Sequence, residues 1–282
     1  MGIINCKEIV AKIKDEVREE VAQFQTQPHL VVVIVGDDKA SQTYVNNKHK
    51  VCQEVGIKST IVQLPHDTTQ ESLEGVIKEL SNSADVNGVL LQLPLPKHLD
   101  DNKAIALIPS YKDVDGLTVA NQGLLAIGDL NNAIIPCTPA GVMRILEENG
   151  DKIEGSKAIV IGRSNLFGKP MAQLLLNANA TVTIAHSRTK EIEQHTKDSD
   201  IVICAVGRTK MFDALYFNNN QTIVDVGINR DENGKLCGDC NTEDILQKYD
   251  VDITPVPGGV GILTTSMLMK NVIKCCKLQG VK

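Results

Sequence analysis

Short apolar runs rich in β-branched residues alternate with helical segments along this chain, and this alternation constrains its fold more than any other feature. The run over 30–35 is apolar at every position, as in a strand buried on both faces of a parallel sheet. The segment 40–55 has helical character and stops at Gly56. Strands separated by helices are typical of parallel sheets, so the sequence predicts an α/β fold.

The same alternation extends over the rest of the chain. Apolar spacing and turn residues predict helices over 5–24, 40–55, 70–81, 138–149, 168–178 and 263–277. They predict strands over 30–35, 57–64, 88–93, 157–161, 181–185, 201–205, 222–226 and 252–254.

The alternation restarts after residue 137, which divides the chain into two parts. Thr138 and Pro139 supply an N-cap and a first-turn proline for a new helix. A chain of 282 residues has room for one large or two medium domains. We predict one domain over 1–137 and a second over 138–264. The last segment, 265–282, is expected to return to the first domain, because no strand of the second remains for it to complete.

Charge and hydropathy exclude several classes of partner. The formal net charge is −6 and no basic run is present, so we expect no nucleic-acid partner. The longest apolar run, over 30–35, is too short to span a bilayer, so we expect no membrane partner. Lys7, Glu8, Lys12 and Lys14 interrupt the apolar residues of the N-terminal segment, so we expect that it is not a secretory signal. The expected location is the cytoplasm.

The cysteines do not form a convincing metal site. Cys237 and Cys240 have ligand-like spacing, but the only other close pair, Cys275 and Cys276, is adjacent and chelates poorly. We therefore predict no bound zinc and interpret the eight cysteines as mostly small apolar residues.

The segment after the predicted strand 157–161 has the features of an anion site. It contains Gly162, Arg163 and Ser164 and runs into a helix, so a close backbone approach and a helix N-terminus come together. NAD-binding folds place an acid about 20 residues further on, but here that stretch is His186-Ser187-Arg188. Ser187 with Arg163 or Arg188 would suit a 2′-phosphate, which favours NADP. The alternative is a polar surface turn.

Tyr44 and Lys48 are candidates for proton transfer. In a helix, residues four apart lie on the same face, which would place the amine beside the ring. Lysine can move protons when it is partly buried or given polar partners. Taken alone, the pair is also compatible with two ordinary surface residues.

Seven ordered blocks resemble the bifunctional methylenetetrahydrofolate dehydrogenase/methenyltetrahydrofolate cyclohydrolase family over essentially the whole chain. They are Tyr44-x-x-x-Lys48, Gly88-Val-Leu-Leu-Gln-Leu-Pro-Leu-Pro96, Asp113-Val-Asp-Gly116, Pro136-Cys-Thr-Pro-Ala-Gly141, Gly162-Arg-Ser-x-x-x-Gly-x-Pro170, Asp225-Val-Gly-Ile-Asn229 and Pro255-Val-Pro-Gly-Gly-Val-Gly261.

This resemblance implies two α/β domains with an active-site cleft between them, the first binding folate and the second being a Rossmann-like NADP-binding domain. It implies oxidation of 5,10-methylenetetrahydrofolate by NADP⁺ to the 5,10-methenyl form, followed by hydrolysis to 10-formyltetrahydrofolate. The family commonly forms homodimers, which we expect here through the cofactor domain. Some relatives carry a further ATP-dependent ligase domain; we expect the stand-alone form.

The resemblance also implies roles for individual residues. Lys48 would transfer protons in hydrolysis, Gln92 would be its partner, Tyr44 would lie beside the folate ring and Asp115 would bind the pterin. Further substrate contacts would come from the loop containing Pro257, Gly258 and Gly259. The expected cofactor contacts are Gly162, Arg163, Ser164, Ser187, Arg188 and Ile228.

The chain departs from the family pattern at two places. Ile262 and Leu263 stand where the family usually has Pro and Met, which is expected to loosen the start of the last helix. Cys240 stands where an apolar residue is usual, which fits an incidental Cys237/Cys240 pair.

Two other functions compete with this interpretation. One is an NADP-linked dehydrogenase of another small substrate without cyclohydrolase activity; Asp115 and the Pro-Gly-Gly loop argue against it. The other is a non-catalytic NADP-binding sensor, which would have no need of Lys48, Gln92 and Asp115 together.

Overall fold

The computed structural model describes the backbone of all 282 residues and every side chain except that of Ala40. Its described helices are α1 (Cys6–Val21), α2 (Lys39–Glu54), α3 (Gln70–Asn82), α4 (Asp101–Ile105), α5 (Val119–Ala126), α6 (Cys137–Asn149), α7 (Gly168–Asn177), α8 (Ile192–Lys197), α9 (Thr242–Lys248) and α10 (Val260–Leu278). Its described strands are β1 (Gly2–Ile3), β2 (His29–Val35), β3 (Lys58–Leu64), β4 (Gly88–Leu91), β5 (Lys157–Ile161), β6 (Thr181–Ala185), β7 (Ile201–Cys204), β8 (Thr222–Asp225), β9 (Asn229–Arg230), β10 (Leu236–Cys237) and β11 (Asp252–Ile253).

Every predicted helix and strand is present, with ends that differ by a few residues. The last helix, α10, begins at Val260 rather than at the predicted residue 263, so Ile262 and Leu263 lie within its first turn. The α/β class is therefore confirmed. The elements that were not predicted are short: α4, α5, α8, α9, β1, β9 and β10. The caps of α4 and α5, Asp100 and Thr118, were a usable signal, because each side chain accepts a hydrogen bond from its helix's first turn.

The chain forms two compact units. The first unit contains Lys12–Cys137 and Thr265–Lys282, and the second contains Met1–Ala11 and Thr138–Thr264. The first eleven residues group with the second unit because β1 pairs with β11, a short contact that the sequence pattern does not indicate.

The sheet of the first unit has three parallel strands in the order β3-β2-β4. All seven residues of β2 are buried, because this strand is central and covered on both faces. Val31, Val33, Val89 and Leu91 contribute to a core that also contains Leu73 and Ile77 of α3. Gln92 follows β4 directly, so it lies at the carboxyl edge of this sheet.

The sheet of the second unit has six parallel strands in the order β1-β11-β8-β7-β5-β6. Its core combines Ile159 of β5 and Val202 of β7 with Phe212 and Phe217 from the segments that follow. In parallel sheets, ligands bind at the carboxyl ends of the strands. A ligand site of this unit is therefore expected in the loops that begin after β5, β6, β7 and β8.

No helix within the described part of the chain is long and apolar enough to cross a membrane.

Candidate active site

Helix α2 presents Tyr44 and Lys48 on the first unit. Its start is fixed by Asp38, whose carboxylate accepts a hydrogen bond from the Ser41 N–H at 2.7 Å. Val45 and Val51 are buried and hold the helix on the core, whereas Tyr44 is 59% exposed and Lys48 is half-buried. The predicted helical spacing is therefore confirmed, with an accessible ring one turn before the amine.

Lys48 and Gln92 are in direct contact. The Lys48 Nζ donates a hydrogen bond to Gln92 Oε1 at 3.0 Å. The other end of the Gln92 amide is occupied, because its Nε2 donates to the carbonyl of Leu93 at 2.6 Å. The backbone N–H of Gln92 also donates to Val33 O at 2.8 Å. Gln92 therefore presents an oxygen acceptor to Lys48 and holds the amine at one position.

Asp115 lies in a tight turn whose shape depends on Gly116. Gly116 has a φ of +67°, and a Cβ on it would lie 2.5 Å from Ile134 O, so another residue would be strained there. The preceding Asp113 is buried and its carboxylate accepts hydrogen bonds from Thr118 N–H at 2.8 Å and Asn121 Nδ2 at 2.9 Å. Asp113 is thus committed to the turn, and Asp115 is the carboxylate left to face a ligand.

The electrostatic surroundings of Asp115 connect it with Lys48. Burial raises the pKa of the Asp115 carboxyl above its usual value, while the nearby Lys48 charge acts in the opposite direction. Cys137 Sγ lies 3.8 Å from Asp115 Oδ1, and burial raises the pKa of that thiol. A half-buried carboxylate with few protein donors is well suited to accept hydrogen bonds from a ligand.

Asn271 of α10 braces this turn and is a residue that the sequence analysis missed. Its Nδ2 donates to Val114 O and Ile135 O, both at 2.8 Å, and lies 3.4 Å from Cys137 Sγ. The contact spans 157 positions of sequence, so no local pattern could indicate it.

The second unit has a cavity of about 310 Å³ at the carboxyl edge of its sheet. The loops after β5, β6 and β7 form most of its wall. Its lining residues include Gly162, Arg163, Ser164, His186, Ser187 and Arg208. Of the predicted cofactor residues, the structure brings Gly162, Arg163, Ser164 and Ser187 together at this cavity. His186 and Arg208 also line it, although the sequence analysis did not select them.

The start of α7 differs in one respect from the anion site expected from the sequence. Ser164 Oγ accepts the backbone N–H groups of Phe167 and Gly168, at 3.2 and 3.4 Å, and Ser164 O accepts that of Lys169. The N–H groups of Phe167, Gly168 and Lys169 are thus paired, and Pro170 has no N–H. The first turn of α7 therefore has no unpaired donor to offer an anion. The polar groups that line the cavity here are therefore side chains such as Arg163 and Ser187 rather than free helix N–H groups.

Position 162 in the cavity wall requires a glycine, because two backbone segments pass close to each other there. Gly162 has a φ of +144°, and a Cβ on it would lie 2.5 Å from Ala205 O. The absence of a side chain there lets β5 and the loop after β7 approach closely and leaves the backbone accessible.

Arg188 and Ile228 have different positions from the other predicted cofactor residues. Arg188 is exposed, and its backbone N–H donates to His186 Nδ1 at 3.2 Å, which fixes the ring beside the cavity. Ile228 is 60% exposed, and its Cδ1 would lie 3.4 Å from a Cβ on Gly261. The structure therefore places Ile228 against the end of the Pro257–Gly261 loop, within the second unit.

The loop of Pro257, Gly258 and Gly259 has an unusual backbone. The Val256–Pro257 peptide bond is cis, and Gly258 has a φ of +96°. A Cβ on Gly259 would clash with the carbonyl oxygen of Pro255. These three residues form a compact turn directly before α10, with Pro257 exposed.

The cysteines are all buried free thiols. Cys240 packs in the core of the second unit beside Cys204 and Phe212. Among the described residues, no group of three or more His, Cys, Asp or Glu side chains is arranged to hold a metal ion.

The cavity of the second unit fits part of a dinucleotide phosphate. Two arginines and a serine hydroxyl provide charge and hydrogen bonds for phosphate oxygens, and Gly162 permits close approach of the backbone. No acidic residue lines the cavity among the described residues, so nothing there would repel a 2′-phosphate.

Two family models match this chain. The model for the catalytic domain of tetrahydrofolate dehydrogenase/cyclohydrolase matches residues 4–115, and the model for the NAD(P)-binding domain of the same family matches residues 136–280.

Individual proteins are similar over nearly the full length. A bifunctional protein FolD from Campylobacter hominis is 49% identical over 280 residues, which is 98% of both chains. The crystal structure of a bifunctional FolD enzyme from Campylobacter jejuni is 41% identical, with a TM-score of 0.95 over 99% of both chains. The Trypanosoma brucei dehydrogenase-cyclohydrolase, complexed with NADP cofactor and inhibitor, is 36% identical, with a TM-score of 0.91 over 99% of this chain and 98% of that one.

These matches confirm the family that the sequence blocks indicated, and they extend over both units. The chain belongs to the tetrahydrofolate dehydrogenase/cyclohydrolase family and is a bifunctional enzyme with both of these activities.

Proposed function

We propose that Lys48, Gln92 and Asp115 perform the folate chemistry on the first unit, and that the cavity of the second unit binds NADP. The contact between Lys48 Nζ and Gln92 Oε1 at 3.0 Å, next to the carboxyl of Asp115, is the observation that carries this proposal. The substrate is 5,10-methylenetetrahydrofolate, and the product of both steps is 10-formyltetrahydrofolate.

Lys48 acts as the proton-transfer group of the hydrolytic step. Water adds to the cationic methenyl carbon and loses one proton, which gives a hydroxyl adduct. The hydroxyl then loses its proton as the C=O bond forms, while the bond from this carbon to N5 breaks and N5 takes up a proton, so that one proton is released overall. The Lys48 nitrogen, held by Gln92 Oε1, is the group in position to take up or relay that proton. Tyr44 is accessible one turn earlier on α2 and can lie along the face of the folate ring.

Asp115 anchors the pterin. The adjacent N–H groups of a pterin are donors, and a carboxylate that accepts two of them gains strong hydrogen bonds. Because burial raises the pKa of Asp115, donors from the substrate would lower it again and stabilise the charged form. Pro257, Gly258 and Gly259 are proposed as further folate contacts, supported by the family resemblance and by their compact turn.

The cofactor is NADP⁺, which accepts a hydride from the methylene carbon of the folate. Arg163 and Ser187 bind the 2′-phosphate, because both line the cavity and a guanidinium can make paired hydrogen bonds to phosphate oxygens. Gly162 permits the backbone approach, and Ser164 supports the turn before α7, because its Oγ accepts the N–H groups of Phe167 and Gly168. Ile228 contributes an exposed apolar contact, and Arg188 a more distant positive charge.

The family resemblance supports two further proposals. The protein forms a homodimer through its second unit, and light scattering at micromolar protein concentration should give twice the chain mass of 30.6 kDa. A monomer mass would contradict this. The protein acts in the cytoplasm, which imaging of the tagged protein in its own cells would test.

Absorbance assays on the purified protein test the proposed function. We expect NADPH and methenyltetrahydrofolate to appear from methylenetetrahydrofolate and NADP⁺. We also expect added methenyltetrahydrofolate to be hydrolysed when no nucleotide is present. Oxidation of methylenetetrahydrofolate without hydrolysis would contradict the cyclohydrolase activity. Turnover of neither folate would favour a dehydrogenase of another substrate, and NADP binding without any turnover would favour a sensor.

A further inference from the structure

Asp239 is a buried carboxylate that neither activity explains. Its side chain has no exposure and accepts four hydrogen bonds. Oδ2 accepts the backbone N–H groups of Val206 and Gly207 at 2.6 and 3.1 Å, and Oδ1 accepts that of Arg208 at 2.8 Å. Oδ1 also accepts from Asn229 Nδ2 at 2.9 Å. The acceptor capacity of this carboxylate is therefore filled by two separate segments, the loop 206–208 and Asn229 at the start of β9.

Both of these segments carry or adjoin residues of the proposed nucleotide site. Val206 and Arg208 line the cavity after β7. Asn229 directly follows Ile228, the exposed apolar residue proposed to contact the cofactor. A single carboxylate thus bonds the backbone of the cavity wall and the side chain of the residue that follows Ile228.

Asp239 is itself held by a second buried carboxylate. Asp225 Oδ1 accepts the backbone N–H groups of Asp239 and Gly227, at 2.9 and 3.0 Å, and Oδ2 accepts that of Cys240 at 2.8 Å. A Cβ on Gly227 would clash with the Asp239 carboxylate, so the two segments touch without room for a side chain. The position of Asp239 is thus determined from both sides.

We propose that Asp239 is a positioning residue for the dinucleotide, which acts by holding the 206–208 and 227–229 loops in their binding conformation. This inference depends on the proposal that the cavity of the second unit binds NADP. Asp239→Asn tests it sharply, because an amide replaces one oxygen with a donor. In either orientation, Nδ2 would face at least one backbone N–H, and that loop would have to move.

Two quantities are measured. One is the Kd of NADP⁺ by calorimetry, and the other is the rate of methenyltetrahydrofolate hydrolysis without nucleotide. For Asp239→Asn we expect the NADP⁺ Kd to rise about tenfold or more, the free-energy scale of one lost hydrogen bond to a charged group. We expect hydrolysis to stay within about twofold, since it needs no nucleotide and its proposed residues lie in the first unit. A purely structural role would instead lower the melting temperature without a selective effect on the Kd.

Asp244→Asn is the matched control. Asp244 Oδ2 accepts the Ala214 N–H at 2.7 Å in the same unit, but it bonds neither loop. Asn229→Ala is a milder variant that removes only one of the four donors, and it should raise the Kd about threefold. It provides the test if Asp239→Asn does not fold.

An unchanged Kd in folded Asp239→Asn, or in Asn229→Ala if the first variant does not fold, would overturn the positioning role. An equal rise in Asp244→Asn would also overturn it. Failure of the wild-type protein to bind NADP⁺ is a different result: it contradicts the proposed cofactor and is seen before any variant is made.

Discussion

The two candidate sites of this protein are constructed in opposite ways. In the first unit, the functional side chains contact or influence one another directly: Lys48 donates to Gln92, and its charge acts on Asp115. In the second unit, the candidate ligand contacts are exposed or line a cavity, while buried carboxylates hold the backbone that carries them. The proposed folate chemistry of the first site depends on a few side-chain atoms, whereas the proposed nucleotide binding at the second site depends on several loops.

This difference predicts different responses to substitution. Loss of a proton-transfer group removes a chemical step and typically costs 10²- to 10⁴-fold in rate. Loss of one phosphate contact among several weakens binding by about 1.5–3 kcal/mol at most, because the other contacts remain. Variants of the first unit should therefore have larger effects than single variants around the cavity.

The largest expected effect is that of Lys48→Met. This change keeps most of the length of the side chain and removes the amine, so cyclohydrolase activity should fall by roughly 10²-fold or more. Dehydrogenase activity should fall less, since hydride transfer depends mostly on how the two rings are aligned. Rates of both reactions on one preparation measure the difference. Lys50→Met, an exposed lysine of the same helix, is the control and should leave both rates near those of the wild type.

Asp115→Ala should lower both activities together. The variant removes the proposed anchor of the pterin, which oxidation and hydrolysis share, and we expect losses of roughly 10- to 100-fold, the scale of one to two charged hydrogen bonds. The KM for folate should rise in both assays. Asp67→Ala changes an exposed carboxylate of the same unit and serves as control. Loss of only one activity would show that Asp115 has a role in chemistry rather than a shared role in binding.

Arg163→Gln should have a smaller and selective effect. In the wild type we expect kcat/KM for NADP⁺ to exceed that for NAD⁺ at least tenfold, about 1.4 kcal/mol, from a charged contact to the 2′-phosphate. Arg163→Gln should remove most of this preference and leave the NAD⁺ reaction nearly unchanged. Arg188→Gln should reduce it less, because Arg188 is not among the residues that line the cavity. Equal kcat/KM for the two nucleotides in the wild type would contradict the assignment of the cofactor.

The smallest expected effect concerns the pH dependence of stability. Burial raises the pKa of the Asp225 carboxyl from 3.8 to about 6. A raised folded-state pKa means that the folded protein binds the proton more tightly, so this residue's contribution to stability falls as the pH rises towards and through about 6. Between pH 5 and pH 7 the loss should be about 1 kcal/mol. Urea denaturation at both pH values, compared with Asp225→Asn, measures it; the same pH response in both proteins would rule out Asp225 as its source.

Local patterns in the sequence were sufficient for the fold and for part of the site. The apolar run at 30–35 became the buried central strand β2, and the spacing of Tyr44 and Lys48 placed both on α2. The glycine and arginine after β5 line a cavity, as their position at the end of a strand indicated. Each of these features is determined by residues close together in sequence.

The remaining contacts depend on residues that are distant in sequence. Asp239 bonds the Val206 N–H across 33 positions, and Asn271 bonds Val114 O across 157. No periodicity or spacing indicates such pairs, because the hydrogen bonds form only when separate loops meet. Arg208 is a different case: it follows the predicted strand over 201–205, so its position at the carboxyl end of a strand was a usable local signal.

Hydrolysis of methenyltetrahydrofolate without nucleotide tests most directly the difference between the two units. Wild type, Lys48→Met and Arg163→Gln are compared at equal concentration, after thermal melting has shown that all three are folded. We expect Lys48→Met to lose roughly 10²-fold or more and Arg163→Gln to remain within about twofold of the wild type. A near wild-type rate in folded Lys48→Met would show that another group activates the water, and an equal loss in Arg163→Gln would show that hydrolysis does not depend on the first unit alone.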